Sequence, residues 1–111
     1  DELLELLYTY KVLKGVKMWV VFDAYMTLNT KDIKSGEDFK VIFTKNGEKA
    51  DTYIERAVSQ KSADYRFIVV TSDGPIQNAI FTKGAARLSS RAFISEYESL
   101  YKAMQRKLEK E

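Results

Sequence analysis

The sequence contains no cysteine and no histidine. Without cysteine the chain has neither a disulfide framework nor thiolate chemistry. Without histidine it lacks the commonest general base and metal ligand, which excludes a Ser-His-Asp arrangement and most zinc sites. Any catalysis by this chain must therefore depend on carboxylates, lysine, tyrosine and hydroxyl groups.

Long apolar runs are also missing. The longest, residues 18–22, is far too short to cross a bilayer, and no secretory signal is visible, so we expect a cytoplasmic protein with no membrane partner. A length of 111 residues, with 45% apolar and 31% charged residues, predicts one globular domain over residues 1–111. The net charge of +2 neither requires nor excludes a nucleic acid partner, because a local basic patch is sufficient.

Helical and strand patterns alternate along the chain. Strands are predicted at residues 17–23, 39–44, 66–71 and 86–88. Helices are predicted at residues 2–14, with Gly15 as the C-cap, at residues 48–60 after a turn at Asn46-Gly47, in a short segment after Pro75, and in a long segment capped by Ser89 or Ser90. The long helix carries an apolar stripe from Phe93 to Leu108. This alternation predicts a three-layer α/β/α fold with a mostly parallel central sheet and helices on both faces.

Acidic residues stand beside the predicted strand ends. Asp23 ends the first strand, Asp73 follows the third, and Asp51 and Glu55 lie four apart near the start of the helix at 48–60. Carboxylates at the carboxyl ends of parallel strands converge on one crevice. They repel one another unless a divalent cation neutralises them. The pattern therefore favours metal-assisted cleavage of a phosphodiester.

Each of these residues also has a purely structural interpretation. Asp23 and Asp73 can bond the backbone of a following turn or helix, and Asp51 in a first helical turn favours the helix dipole in any protein. Lys45, Arg87 and Arg91 are positioned to contact phosphate near the same end, or they are scattered surface charge. Residue by residue, both interpretations remain open.

Five segments taken together resemble the YacP-like NYN domain family. They are residues 20–24, 41–45, 50–56, 70–73 with Gln77, and 84–91, in the order that the family has, within a match from about Leu3 to Tyr97. The resemblance implies a PIN-like nuclease with a central parallel sheet and a Mg²⁺ or Mn²⁺ site. It places Asp23, Asp51 and Asp73 at acidic-site positions and Glu55 in the same motif. Arg87 and Arg91 fall in the family's C-terminal motif, which implies RNA contact or sheet-helix packing.

The chain departs from the family in one respect. The family opens with a strand that ends in an Asp-Gly-Tyr-Asn motif, and nothing in this sequence matches it. The resemblance places that strand between those ending at Asp23 and Asp73, so we expect the chain to lack it. The two strand edges would then pair with each other, recruit a strand from a neighbouring molecule in a homodimer, or be covered in another way.

Two functions follow from the resemblance. The first is a metal-dependent endoribonuclease that cleaves RNA, with messenger RNA on the ribosome as its setting. The second is a non-catalytic RNA- or ribosome-binding module of the same fold. A nucleotide-binding domain is disfavoured because no glycine-rich phosphate loop follows any predicted strand.

Overall fold

The computed structural model describes residues 2–23, 36–72 and 85–110. Within these residues seven elements follow one another: α1 (Glu2–Lys14), β1 (Met18–Phe22), β2 (Phe39–Phe43), α2 (Ala50–Lys61), β3 (Ile68–Val70), β4 (Ala86–Leu88) and α3 (Ser90–Lys110). The predicted α/β class is confirmed. The predicted helix after Pro75 lies outside the described residues, and so does Asp73.

The strands form two parallel pairs. β1 pairs with β2, from Met18 opposite Phe39 to Phe22 opposite Phe43, and β3 pairs with β4. β3 covers fewer residues than the predicted 66–71, because only three residues of β4 pair with it. Within the described residues β1 and β3 are not hydrogen-bonded to each other. The two pairs are therefore separate, at the place where the resemblance implies a further strand.

Two glycines lie at the predicted end of a helix and in the predicted turn, and both have a positive φ. Gly15 has φ +72°, and its amide donates to the Lys11 carbonyl at 3.0 Å, which is a left-handed C-cap for α1. Gly47 has φ +84° in the turn between β2 and α2, where the Glu48 amide donates to the Lys45 carbonyl at 2.9 Å. Both glycines occupy a conformation that side chains rarely adopt.

α2 contacts both strand pairs. It packs on β1, and its Val58 belongs to a buried cluster with Val69 of β3 and Ala85. Ile54 and Phe67 pack against the same cluster. Because α2 touches both strand pairs, it joins two pairs whose described strands are not hydrogen-bonded to each other.

α1 and α3 form a second layer of contacts. The ring of Tyr10 lies 4.4 Å from that of Phe93, and Lys14 is paired with Glu96. The apolar stripe predicted for α3 is buried only near its start, since Phe93 is buried while Leu108 is 62% exposed. α3 has 21 residues and α1 has 13, so the far end of α3 extends past the helix that covers it. Within the described residues, none of the helices has the length and apolar character that a membrane crossing requires.

Candidate functional site

Asp23 stands directly after β1 and faces the start of α2. Its Oδ1 accepts a hydrogen bond of 2.6 Å from the backbone amide of Ala50, the first residue of that helix. The N-cap residue Lys49 makes no side-chain cap hydrogen bond. Asp23 therefore supplies, from a distant strand, the acceptor that a helix N-terminus requires.

Asp51 lies in the first turn of the same helix. Its Oδ1 accepts a hydrogen bond of 2.8 Å from the Thr52 amide. Asp23 and Asp51 are both half-buried, and both carboxylates bind amides at one helix terminus, where the partial positive charge of the helix dipole stabilises negative charge. The structure thus brings together two of the predicted acidic residues, which are 28 positions apart in the sequence.

The hydrogen bonds leave one oxygen on each of these carboxylates available. Within the described part of the chain, neither Asp23 nor Asp51 forms a hydrogen bond through Oδ2 or an ion pair. Hard carboxylate oxygens are the ligands that Mg²⁺ and Mn²⁺ prefer, and Mg²⁺ is usually held by one or two carboxylates together with waters. This donor set fits such a cation.

Glu55 lies on α2, four residues after Asp51. It is half-buried one turn further along α2, where it lines a shallow groove with Thr52, Arg56 and Ser59. Across residues 2–23, 36–72 and 85–110, no three acidic side chains come close enough to form a metal cluster. Asp23, Asp51 and Glu55 therefore do not form a complete ligand set among themselves.

The loop between β2 and α2 borders the site. Thr44, which follows β2, is only 5% exposed; its amide donates to the Phe22 carbonyl at 3.0 Å and its Oγ1 donates to the Glu48 carbonyl at 2.7 Å. These bonds tie the ends of β1 and β2 to the loop that carries Lys45, whose side chain is exposed. The sequence alone did not indicate that Thr44 is buried and forms these bonds, although a hydroxyl directly after an apolar strand is a usable signal for a buried hydrogen bond.

Arg56 on α2 is hydrogen-bonded to Glu48 in the same loop. Arg56 donates through Nη1 to Oε2 of Glu48 at 2.6 Å and through Nη2 to Oε1 at 3.3 Å. The hydrogen bond from Arg56 lowers the pKa of the Glu48 carboxyl. Glu48 is therefore ionised and already paired, so it is not available as a further metal ligand.

The second strand pair ends beside the start of α3. The Ser72 hydroxyl donates to the Ser90 hydroxyl at 2.7 Å, and the Thr71 amide donates to the Leu88 carbonyl at 3.2 Å. Ser89 caps α3 by accepting from the Ala92 amide at 3.0 Å, which selects Ser89 from the two predicted caps. Ser72 is the last described residue before Asp73.

The two predicted arginines lie on this second pair. Arg87 is in β4, opposite Val69, and Arg91 is exposed in the first turn of α3. Arg91 is thus on the helix terminus that Ser72 contacts, whereas Arg87 is three residues before α3 begins.

The two ends of α2 lie at opposite ends of β1. At its start the Ala50 amide meets Asp23 after β1, and at its last residue the Lys61 Nζ lies 5.4 Å from the ring of Trp19, the second residue of β1. α2 is therefore antiparallel to β1. The Trp19 ring also contacts Phe67, just before β3, at 6.3 Å, so β1 and β3 begin at the same end.

A parallel α/β domain with carboxylates at its strand ends is the architecture of the PIN-like class. The YacP-like NYN domain matches residues 1–111, and the chain belongs to that family. The predicted family is thereby confirmed. The family is one of PIN-like nucleases, and the parallel strands and helices described above are those of its fold.

Relatives in Bacillus subtilis agree with this assignment. The "Uncharacterized protein YacP" of strain 168 is 33% identical over 111 residues, which cover 99% of this chain and 65% of that protein. The crystal structure of Rae1 (YacP) from Bacillus subtilis superposes with a TM-score of 0.78 at 32% identity, and that of a tryptophan-to-leucine mutant with 0.81 at 33%. The chain covers 64% of the length of each of these two structures.

Proposed function

We propose that this chain is the ribonuclease domain of a metal-dependent endoribonuclease that acts on RNA in the cytoplasm, with ribosome-bound messenger RNA as its substrate. The observation that carries the proposal is the placement of two carboxylates, Asp23 and Asp51, at one helix terminus, each with one oxygen bonded and one available. Membership of a family of PIN-like nucleases supports it.

In the proposed site the carboxylates of Asp23, Asp51 and Asp73 would hold a Mg²⁺ or Mn²⁺ ion, and Glu55 would add negative charge beside it. When bound, such an ion activates a water and stabilises the charge that develops on the phosphate. The amides of Ala50 and Thr52 keep the two carboxylates oriented, so that their free oxygens are preorganised for the cation. Lys45, Arg87 and Arg91 contact phosphates of the RNA on either side of the cleaved bond.

A cleavage assay tests this proposal. A labelled single-stranded RNA is incubated with the protein in Mn²⁺, in Mg²⁺ and in EDTA, and the same is done with Asp51→Asn and Asp73→Asn. We expect cleavage only with a divalent cation and a loss of at least about 100-fold in either variant, since each removes a charged cation ligand. Glu98→Gln is the matched control, because Glu98 is an exposed carboxylate on α3. Full cleavage by Asp51→Asn would show that this carboxylate has no catalytic part.

The second candidate is an RNA-binding module without catalysis. It is favoured by the fact that the described residues contain no group of three acidic side chains that could hold a metal ion. It predicts RNA binding that weakens steeply with salt, no cleavage in any metal, and no heat of Mn²⁺ binding in calorimetry. Metal-dependent cleavage removed by Asp51→Asn is incompatible with this module.

A further inference from the structure

A group of lysines and aromatic rings lies at the end of the strands opposite the carboxylates. Two ammonium groups, those of Lys40 and Lys61, are each 5.4 Å from the centre of the Trp19 ring. A third, that of Lys17, is 5.5 Å from the ring of Tyr65. The rings are linked through Phe67, which is 6.3 Å from Trp19 and 6.1 Å from Tyr65. We call these five residues (Lys17, Trp19, Lys40, Lys61 and Tyr65) the lysine–aromatic face.

Among the described residues, no ion pair neutralises the positive charge of this face. The ion pairs of the described residues join Lys14 to Glu96 and Arg56 to Glu48, and none involves the three lysines of the face. Asp38 lines a shallow groove with Lys17 but is not within ion-pair distance of it. Lys40 and Lys61 share one ring, so their like charges repel each other, and a polyanion bound there would remove that repulsion.

The rings are accessible enough to take part in binding. Tyr65 is 46% exposed, and Trp19 is half-buried although it lies on a strand. Base–aromatic stacking combined with a positively charged surface is the pattern by which proteins bind single-stranded nucleic acid without sequence preference. Lysine over an aromatic ring adds a cation–π attraction that keeps the ammonium groups next to the rings.

Trp19 of this face and Asp23 of the proposed site lie on one stretch of chain, β1 and the residue that follows it. Trp19 and Asp23 are four residues apart along β1, which is about 13 Å at the rise of an extended strand. A stacked single strand of RNA would cover that distance with about four nucleotides. One RNA molecule therefore reaches both ends of β1.

We propose that the lysine–aromatic face binds single-stranded RNA, with phosphates on Lys17, Lys40 and Lys61 and bases against Trp19 and Tyr65. It is a second RNA contact, separate from the carboxylates and from Lys45, Arg87 and Arg91. Binding at this face requires no metal and no cleavage, so it stands whether or not the chain is a nuclease.

The single tryptophan makes the proposal directly measurable, since all tryptophan fluorescence comes from Trp19. A short oligouridylate is titrated into the 111-residue chain in EDTA, and both Trp19 emission and the anisotropy of the labelled RNA are followed. We expect quenching of Trp19 that parallels the anisotropy. Three phosphate contacts predict that log K falls with log salt with a slope of about −2.

Charge variants locate the binding surface. In Lys40→Gln with Lys61→Gln we expect the affinity for the RNA to fall on the order of tenfold and the salt slope to decrease in magnitude by about 1.4. Lys102→Gln with Lys107→Gln is the matched control, because it removes the same charge from exposed positions on α3. Circular dichroism of each variant establishes that the fold is retained.

Three outcomes would overturn the proposal: equal RNA affinity in the two double variants, RNA binding that leaves Trp19 emission unchanged, or equally tight binding of polyglutamate, which would identify a surface for acidic peptides. Repeating the titration with Asp51→Asn separates this proposal from the nuclease. If Asp51→Asn still binds the RNA but no longer cleaves it, both the nuclease and the lysine–aromatic face are supported. If the parent protein binds the RNA but does not cleave it in any metal, only the lysine–aromatic face is supported.

Discussion

The Asp23 carboxylate accepts a 2.6 Å hydrogen bond from the backbone amide of Ala50, 27 residues further along the chain. This bond joins the end of β1 to the start of α2 and provides the cap that Lys49 does not. Asp23 therefore has a structural role that exists without any metal. Its proposed role as a cation ligand uses the other oxygen, so the two roles are separable by mutation.

Asp23→Asn and Asp23→Ala are expected to differ in stability but not in metal binding. Asparagine retains an oxygen that accepts from the Ala50 amide, whereas alanine removes the cap and costs about 1 kcal/mol. Both variants lose the charge that binds Mn²⁺. Urea unfolding followed by Trp19 fluorescence measures the first property, and Mn²⁺ calorimetry measures the second. Equal stability of the two variants would contradict the capping role.

Gly47→Ala is expected to destabilise the protein by about 1–2 kcal/mol, because Gly47 has φ +84° and a Cβ disfavours that conformation. Gly36→Ala is the control: Gly36 has no positive φ, and a Cβ there meets nothing within 4 Å. Urea midpoints of the two variants provide the comparison. A loss that is the same in both would show that the turn conformation is not the cause.

Leu4→Ala is expected to cost roughly 2–5 kcal/mol, whereas Leu108→Ala is expected to change stability by less than about 0.5 kcal/mol. The same atoms are removed in each case, but Leu4 is 1% exposed in α1 and Leu108 is 62% exposed near the end of α3. Thermal unfolding measures both. A large effect of Leu108→Ala would mean that the end of α3 is covered in solution.

Acid is expected to weaken the contact between α1 and α3. The hydrogen bond from Lys14, whose Nζ is 2.6 Å from Oε1 of Glu96, lowers the pKa of the Glu96 carboxyl. Since the folded-state pKa is depressed, this stabilisation is present above the unfolded value of about 4.5 and is lost as pH falls through the lower folded value. Because both side chains are partly exposed, the effect is below about 1 kcal/mol. Unfolding of Glu96→Gln at pH 3 to 7 should show a weaker acid dependence than the parent.

Alkali is expected to act on the same contact through Tyr10. Burial raises the pKa of Tyr10 to about 12, with the nearby Glu96 carboxylate adding to the effect. The folded-state pKa is raised above the ordinary value of 10.0, so the stabilisation is complete below pH 10 and disappears as pH rises towards about 12. Tyr10→Phe should remove this part of the alkaline loss. Identical pH profiles of parent and variant over that range would contradict the burial of the phenol.

Local patterns predicted much of the fold. The limits of α1, its C-cap at Gly15, the strand β4 and the turn at Gly47 are as expected, because they depend on periodicity and on residues with special backbone preferences. β1, β2 and β3 are shorter than predicted, since a strand extends only as far as its partner strand forms hydrogen bonds with it. The exposure of Leu108 was also not predicted, because periodicity along α3 carries no information about how far α1 extends beside it.

For the site, residue type and order were sufficient to nominate Asp23, Asp51, Glu55 and Asp73, and to indicate the family that residues 1–111 match. They left open whether each carboxylate caps a helix or binds a cation. The structure shows that Asp23 and Asp51 each accept a hydrogen bond from an amide at the start of α2 through one oxygen, so both have a structural role, and among the described residues the other oxygen has no partner. The part played by Asp73 remains a prediction for the cleavage assay.

The amino-acid sequence by itself determined the kinds of element, their order and the family, because these depend on side-chain type and spacing within a few residues. Only the tertiary structure decided that Asp23 meets Ala50 and that Lys40 and Lys61 meet at Trp19. Those contacts join residues more than 20 positions apart. The Asp23–Ala50 and Lys61–Trp19 contacts exist because α2 lies antiparallel to β1 and brings one of its ends to each end of that strand. Lys40 meets Trp19 because β2 pairs with β1 in the register that places these two residues opposite each other.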